Sequence, residues 1–78
     1  MAIKTLDTLD CGRTARVLRL TKNAMPFRQK LLAMGVIPGA LLKVIRAAPL
    51  GDPLEIEICG FRLCLRRSEA AVIDVEEC

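Results

Sequence analysis

The chain has no histidine, no tryptophan and no tyrosine, and only two phenylalanines among its 78 residues. Without histidine it loses the usual general base near neutral pH and the commonest metal ligand. Without aromatic walls it cannot build a groove for polyproline peptides or a stacking platform for single-stranded nucleic acid. No apolar run approaches the roughly 20 residues that cross a bilayer. The opening Met-Ala-Ile-Lys-Thr-Leu-Asp-Thr has no apolar h-region, so the expected location is the cytoplasm. A glycine-rich phosphate loop is also missing: Pro49-Leu50-Gly51-Asp52-Pro53 has neither the spacing nor the lysine of a nucleotide loop. Carboxylates alone remain for acid–base work, and so small a domain is hard put to enclose a substrate pocket of roughly 300 Å³. No catalytic residue is expected, and the chain is read as a protein other than an enzyme.

What the chain does have is aliphatic side chains. Hydrophobic residues make up 53% of it, enough to offset the entropy of ordering a short chain. The length predicts one domain, 1–78. A domain of this size buries only roughly 60% of its unfolded surface, so its stability must come from dense apolar packing. Twelve Lys and Arg against nine Asp and Glu leave a net charge of +3. Nucleic-acid binders commonly neutralise about 6–10 phosphates with clustered cations. Here the cations read as spread and interleaved with acids, and the nearest thing to a cluster, Arg62, Arg66 and Arg67, reads as solvated surface charge. Nucleic acid is not an expected partner.

Along the chain, Leu6 and Leu9 suggest a short lead-in strand or turn that Cys11-Gly12 ends. From Arg13 to Leu20, Ala15 and Val17 alternate with Thr14 and Arg16, the period of a strand with one face on a core. The period then changes. Pro26 suits a first helical position, Phe27, Leu31 and Met34 make one apolar stripe, and Arg28, Gln29 and Lys30 take the outer side. Gly35 stands where a residue of positive φ ends a helix, letting Val36 fold back onto Leu31. Pro38-Gly39 reads as a turn, Ala40 to Ala48 as a strand, and Pro49 to Pro53, around Gly51-Asp52, as a turn that a proline stiffens at each end.

A hairpin follows. Leu54, Ile56 and Ile58 alternate with Glu55, Glu57 and Cys59; past Gly60, Phe61, Leu63 and Leu65 alternate with Arg62, Cys64 and Arg66. The turn centre is Cys59-Gly60 or Gly60-Phe61. Either register puts the apolar residues on one face and sets Glu against Arg on the other, at Glu57–Arg62 or Glu55–Arg66. Ser68 reads as the cap of a brief helical turn over Glu69 and Ala70, and Val72 to Val75 as the last strand. Five short strands and one helix predict an all-β-dominated fold, a small, strongly bent SH3-like β-barrel. The one short α-helix is inserted after the first long strand and plugs an open end.

The four cysteines, Cys11, Cys59, Cys64 and Cys78, contain no C-x2-C pair, so a zinc-ribbon pattern is absent. Cys59 and Cys64 share a parity across the hairpin near Glu57, which makes them a candidate pair of soft ligands for weak Fe(II) or Zn(II) binding, completed by Cys78 or a second molecule. Two thiols and a carboxylate fall short of a closed four-ligand site, so reduced cytosolic thiols are the expected state and no cofactor is required.

Taken together, Phe27-Arg28-Gln29-Lys30-Leu31-Leu32 leading to Gly35, Ile37-Pro38-Gly39, and Ala48-Pro49-Leu50-Gly51-Asp52-Pro53 resemble the FeoA family of ferrous iron transport proteins. Leu63 to Arg66, Glu69-Ala70 and Ile73-x-Val75 continue the likeness over nearly the whole chain. The resemblance implies an SH3-like barrel in the cytoplasm that works with the FeoB transporter, whose cytosolic part binds guanine nucleotide. It implies no catalytic residue and lends Cys59 and Cys64 no role. The same fold serves as a C-terminal module of metal-dependent repressors, but the helix-turn-helix and dimerisation segments of such a repressor are missing here. The expected activity is therefore that of a protein-interaction module in Fe(II) uptake, free-standing or as a homo-oligomer. The alternative is an RNA- or ribosome-associated barrel, which would want a basic face with stacking aromatics. The candidate contacts are Leu50 as an apolar anchor at the turn's apex, Asp52 beside it, and Arg28 and Lys30 steering an acidic surface. Gly35, Pro38, Gly39, Pro49, Gly51 and Pro53 are expected to shape the turns.

Overall fold

A computed structural model describes residues 3–78. One antiparallel sheet contains β1 (Ile3–Thr5), β2 (Thr14–Leu20), β3 (Leu41–Ala47), β4 (Leu54–Ile58), β5 (Phe61–Leu65) and β6 (Ile73–Glu77), in the order β1-β6-β2-β3-β4-β5. The fold is β-dominated, as expected, with six strands among the described residues instead of five. The additional strand is β1, too short to display a period, which pairs with β6 through Lys4 opposite Val75.

Two register shifts bend the sheet. Between Val17 and Arg19, β2 places one extra residue, Leu18, against β6; between Val44 and Arg46, β3 places Ile45 against β4 in the same way. A bulge of this kind increases local twist and reverses the side-chain parity beyond it. Ala15 and Val17 are buried before the first bulge, and Leu42 and Val44 before the second. Beyond them Leu20 and Ala47 pack against the core instead of pointing away. The enclosed core is aliphatic, with Leu6, Leu31, Val36, Ile56, Leu65, Ile73 and Val75 fully buried. Each such side chain contributes about 1.5–3 kcal/mol on burial.

The β4–β5 hairpin takes the first of the two registers, Glu57 opposite Arg62 and Ile58 opposite Phe61. Its turn residues Cys59 and Gly60 both have positive φ, 53° and 81°, the signature of a type I′ turn. Phe61 departs from expectation. It stands at the tip of the hairpin, 69% exposed, while Leu63 is half-buried and Leu65 fully buried.

The helical segment also differs in detail. Pro26 does not open the α-helix; it lies inside a 3-10 stretch, Lys22–Phe27, that runs into α1 (Arg28–Ala33). Proline's fixed φ suits that geometry too. The cap is as expected: Gly35 has φ 91°, its N–H donates to the Leu32 carbonyl at 3.1 Å, and Val36 N–H donates to the Leu31 carbonyl at 3.0 Å, which is the Schellman arrangement. The Pro38-Gly39 turn closes with the Ala40 N–H donating to the Ile37 carbonyl at 3.0 Å. In α2 (Arg67–Ala70) the cap is not Ser68, which lies exposed within the helix; the Glu69 carboxylate accepts the Arg66 N–H at 2.9 Å.

Candidate partner-binding site

Between β3 and β4 the chain leaves the sheet at Ala48 and returns at Pro53. The Gly51 N–H donates to the Ala48 carbonyl at 2.6 Å, and the Ala48 N–H donates to the Pro53 carbonyl at 3.0 Å, so the loop closes on itself twice. Gly51, at φ 83°, supplies the bend. This leaves Leu50 at the apex, 95% exposed. Leu50 therefore does not cover the end of the core, the ordinary task of a leucine in so small a domain.

The turn is fastened from outside by Arg67. Its Nε donates to the Gly51 carbonyl at 2.6 Å, its Nη1 to the Asp7 carbonyl at 2.9 Å, and its backbone N–H to Asp52 Oδ1 at 3.1 Å. One side chain thus joins the turn, α2 and the 3-10 segment Leu6–Thr8. Arg67 was expected to be solvated charge, and nothing local in the sequence marks it otherwise: the acceptors lie 16 and 60 residues away. Asp52, read as a partner contact, is occupied here in starting α2.

Beside the turn lies a groove of about 470 Å³. Ala47, Ala48, Pro49 and Pro53 give it apolar walls, and Cys64 and the Arg46–Glu55 ion pair complete its lining. An apolar projection next to an apolar recess suits the docking of a protein surface that carries the converse pair.

The two helix cations part company. The Lys30 ammonium lies 2.6 Å from Glu69 Oε2, so it is bound to a carboxylate that is only 3% exposed and does not face a partner freely. Burial would raise the Glu69 pKa, but hydrogen bonds from Lys30 and the Arg66 N–H, together with the charges of Lys30 and Arg66, outweigh it and hold the carboxyl below its ordinary value. Arg28 is exposed and makes no ion pair among the described residues. The link from α1 to the turn therefore runs through Lys30, Glu69 and Arg67, a connection the sequence did not disclose.

The cysteine pair is drawn apart. Cys59 sits in the hairpin turn, its sulfur 3.7 Å from where a β-carbon on Gly35 would stand. Cys64 faces Glu55, three positions back from the end of β4 at Ile58, about 10 Å along the sheet from the turn at the rise of an extended strand. Among the described residues no three Cys, Asp or Glu side chains converge as a metal ion would require.

The FeoA domain model matches residues 4–77. The Fe(2+) transport protein A/Fe(2+) transporter FeoB fusion protein of Porphyromonas gingivalis is 37% identical over 71 residues, which are 91% of this chain and 8% of the relative. This chain thus spans under a tenth of that protein's length. The solution structure of FeoA from Chlorobium tepidum superposes with a TM-score of 0.86 at 39% identity, over 95% of this chain and 70% of the other. The crystal structure of Stenotrophomonas maltophilia FeoA complexed with zinc gives 0.81 at 26% identity, over 94% and 89%. That protein is described as an SH3 domain protein and has been put forward as a ferrous iron transport activating factor.

Proposed function

The chain belongs to the FeoA domain family, and from that premise we propose that it is a cytoplasmic accessory protein of a FeoB-type ferrous iron transporter. It would dock on the transporter's cytosolic part and regulate Fe(II) uptake without catalysing a reaction of its own. Fusion of such a domain to FeoB in the Porphyromonas gingivalis relative supports the choice of partner, since tethering two modules raises their effective concentration to about the millimolar range. Among the described residues no helix is long and apolar enough to cross a membrane, which suits a docked module.

The observation that carries the docking site is Leu50: a leucine 95% exposed on a turn that two internal hydrogen bonds and Arg67 hold in place. A fixed apolar anchor loses little entropy when it docks. In the test, Leu50→Asp is checked for an unchanged thermal melt, then assayed for binding to the purified cytosolic part of the transporter and for ferrous uptake in cells. Binding should fall at least tenfold and uptake with it. A folded variant that binds and supports uptake like wild type would move the contact elsewhere on the barrel, and unchanged uptake on deleting the gene would remove the transport role.

A further inference from the structure

The sequence looked evenly mixed in charge, yet all nine carboxylates lie in residues 1–10 or 52–78. The intervening stretch is purely cationic. On the sheet, acids from β4 and β6 return to neutralise β2 and β3. Among the described residues, the helical segment 22–33 is tied to this acidic part of the chain at α2, through Lys30 and Glu69, and just before its first residue, where the Thr21 N–H donates to the Val72 carbonyl, one residue ahead of β6, at 2.9 Å. The carboxylates at these two links are taken, Glu69 by Lys30 at 2.6 Å and Asp74, two residues past Val72, by Arg19 at 2.9 Å.

The segment's outer row is ordered. In a 3-10 helix side chains three apart eclipse, which aligns Lys22, Met25 and Arg28; in the α-helix that follows, Leu32 stands one turn beyond Arg28. The same spacing puts Ala24, Phe27 and Leu31 on the core side, where they are packed. Lys22 and Arg28 are exposed, Met25 is 74% exposed and Leu32 37%. The row therefore reads cation, apolar, cation, apolar, with an adaptable methionine at its centre.

We propose that this row is a second contact, fitted to an acidic, partly apolar surface of the docking partner. The inference rests on the reading that the partner is the transporter's cytosolic part. A lipid surface would call for roughly four to eight clustered cations, and RNA for stacking aromatics; the row offers neither. The two cations steer the encounter and the two apolar side chains slow its release.

The test uses the full chain and the transporter's cytosolic part, with association and dissociation rates measured at low and at near-physiological salt. Lys22→Glu with Arg28→Glu should slow association about tenfold at low salt and flatten its salt dependence. Met25→Gln should speed dissociation several-fold with association unchanged. If wild type binds and both variants match it at both salts, the second contact is wrong while the Leu50 reading stands. If wild type does not bind at all, the docking reading fails and this inference with it.

Discussion

Gly35 holds φ at 91°, where a β-branched side chain is strained by about 1–3 kcal/mol. Gly35→Val should therefore lower the melting temperature clearly more than Ala33→Val on the exposed side of α1, where helix propensity alone costs less than about 1 kcal/mol. Equal shifts would show that the cap contributes nothing. Glu69 gives a prediction with a sign. Its pKa is depressed, so its stabilisation is complete at neutral pH and is lost as pH falls below the ordinary value of 4.5 through the lower folded one. Glu69→Gln should cost about 1–3 kcal/mol at pH 7, since a charge-assisted hydrogen bond is weakened at a buried site, and melts repeated toward pH 3 should show the gap to wild type closing. A gap that stays constant with pH would mean the carboxylate's charge is irrelevant. At Cys59 a non-glycine residue sits at φ 53° in the hairpin turn, a place that favours asparagine. Cys59→Asn with Cys64→Ser should melt no lower than wild type and support uptake equally; lost uptake in the folded variant would make the thiols functional.

The elements around the candidate site differ in how far the sequence disclosed them. The Gly35 cap and the Pro38-Gly39 turn were legible because their chemistry is local: each needs only a residue that accepts positive φ at one spacing. The bulges carried a signal that strict alternation misses. Val17-Leu18 and Val44-Ile45 are adjacent apolar pairs, each followed by an arginine and another apolar residue, and an inserted residue in each strand accounts for both. Leu50 was legible as an apex between two prolines, but its exposure was not, because that depends on how the turn is held. The holding is done by Arg67, whose partners come from distant parts of the chain. Arg67→Ala should consequently leave the core intact, speed amide exchange at Gly51, and weaken binding to the transporter's cytosolic part with Leu50 still present, through lost preorganisation. Unchanged exchange at Gly51 would show that the turn's own two hydrogen bonds suffice.

On the scale of the whole molecule, the fold distributes charge in a way the linear sequence conceals. Strands rich in carboxylates are laid between or beside strands rich in cations: Arg16 opposite Glu76 and Arg19 opposite Asp74 across β2–β6, Lys43 opposite Glu57 and Arg46 opposite Glu55 across β3–β4, Glu57 opposite Arg62 across β4–β5. On β6, between β1 and β2, Glu77 receives both Lys4 and Arg13, at 3.0 and 3.4 Å. Surface pairs of this kind contribute little stability, about 0–1 kcal/mol each, but among the described residues they leave no continuous cationic track along the sheet. A phosphate backbone laid across it would meet a carboxylate next to nearly every cation, and the exposed Phe61 stands alone as a stacking surface. This bears directly on an RNA- or ribosome-associated barrel, because affinity for a polyanion scales with the number of phosphates neutralised. A protein that neutralises 6–10 of them loses about 10³–10⁵ in affinity between 50 and 200 mM salt. For this chain, fluorescence anisotropy with a single-stranded RNA probe should give no saturable binding near physiological salt. At low salt, the slope of log affinity against log salt should be shallow, about 1 or less in magnitude. A steep slope, retained after nuclease treatment of the protein stock, would reveal a phosphate track that the paired strands do not provide, and would put RNA in the place assigned to the transporter.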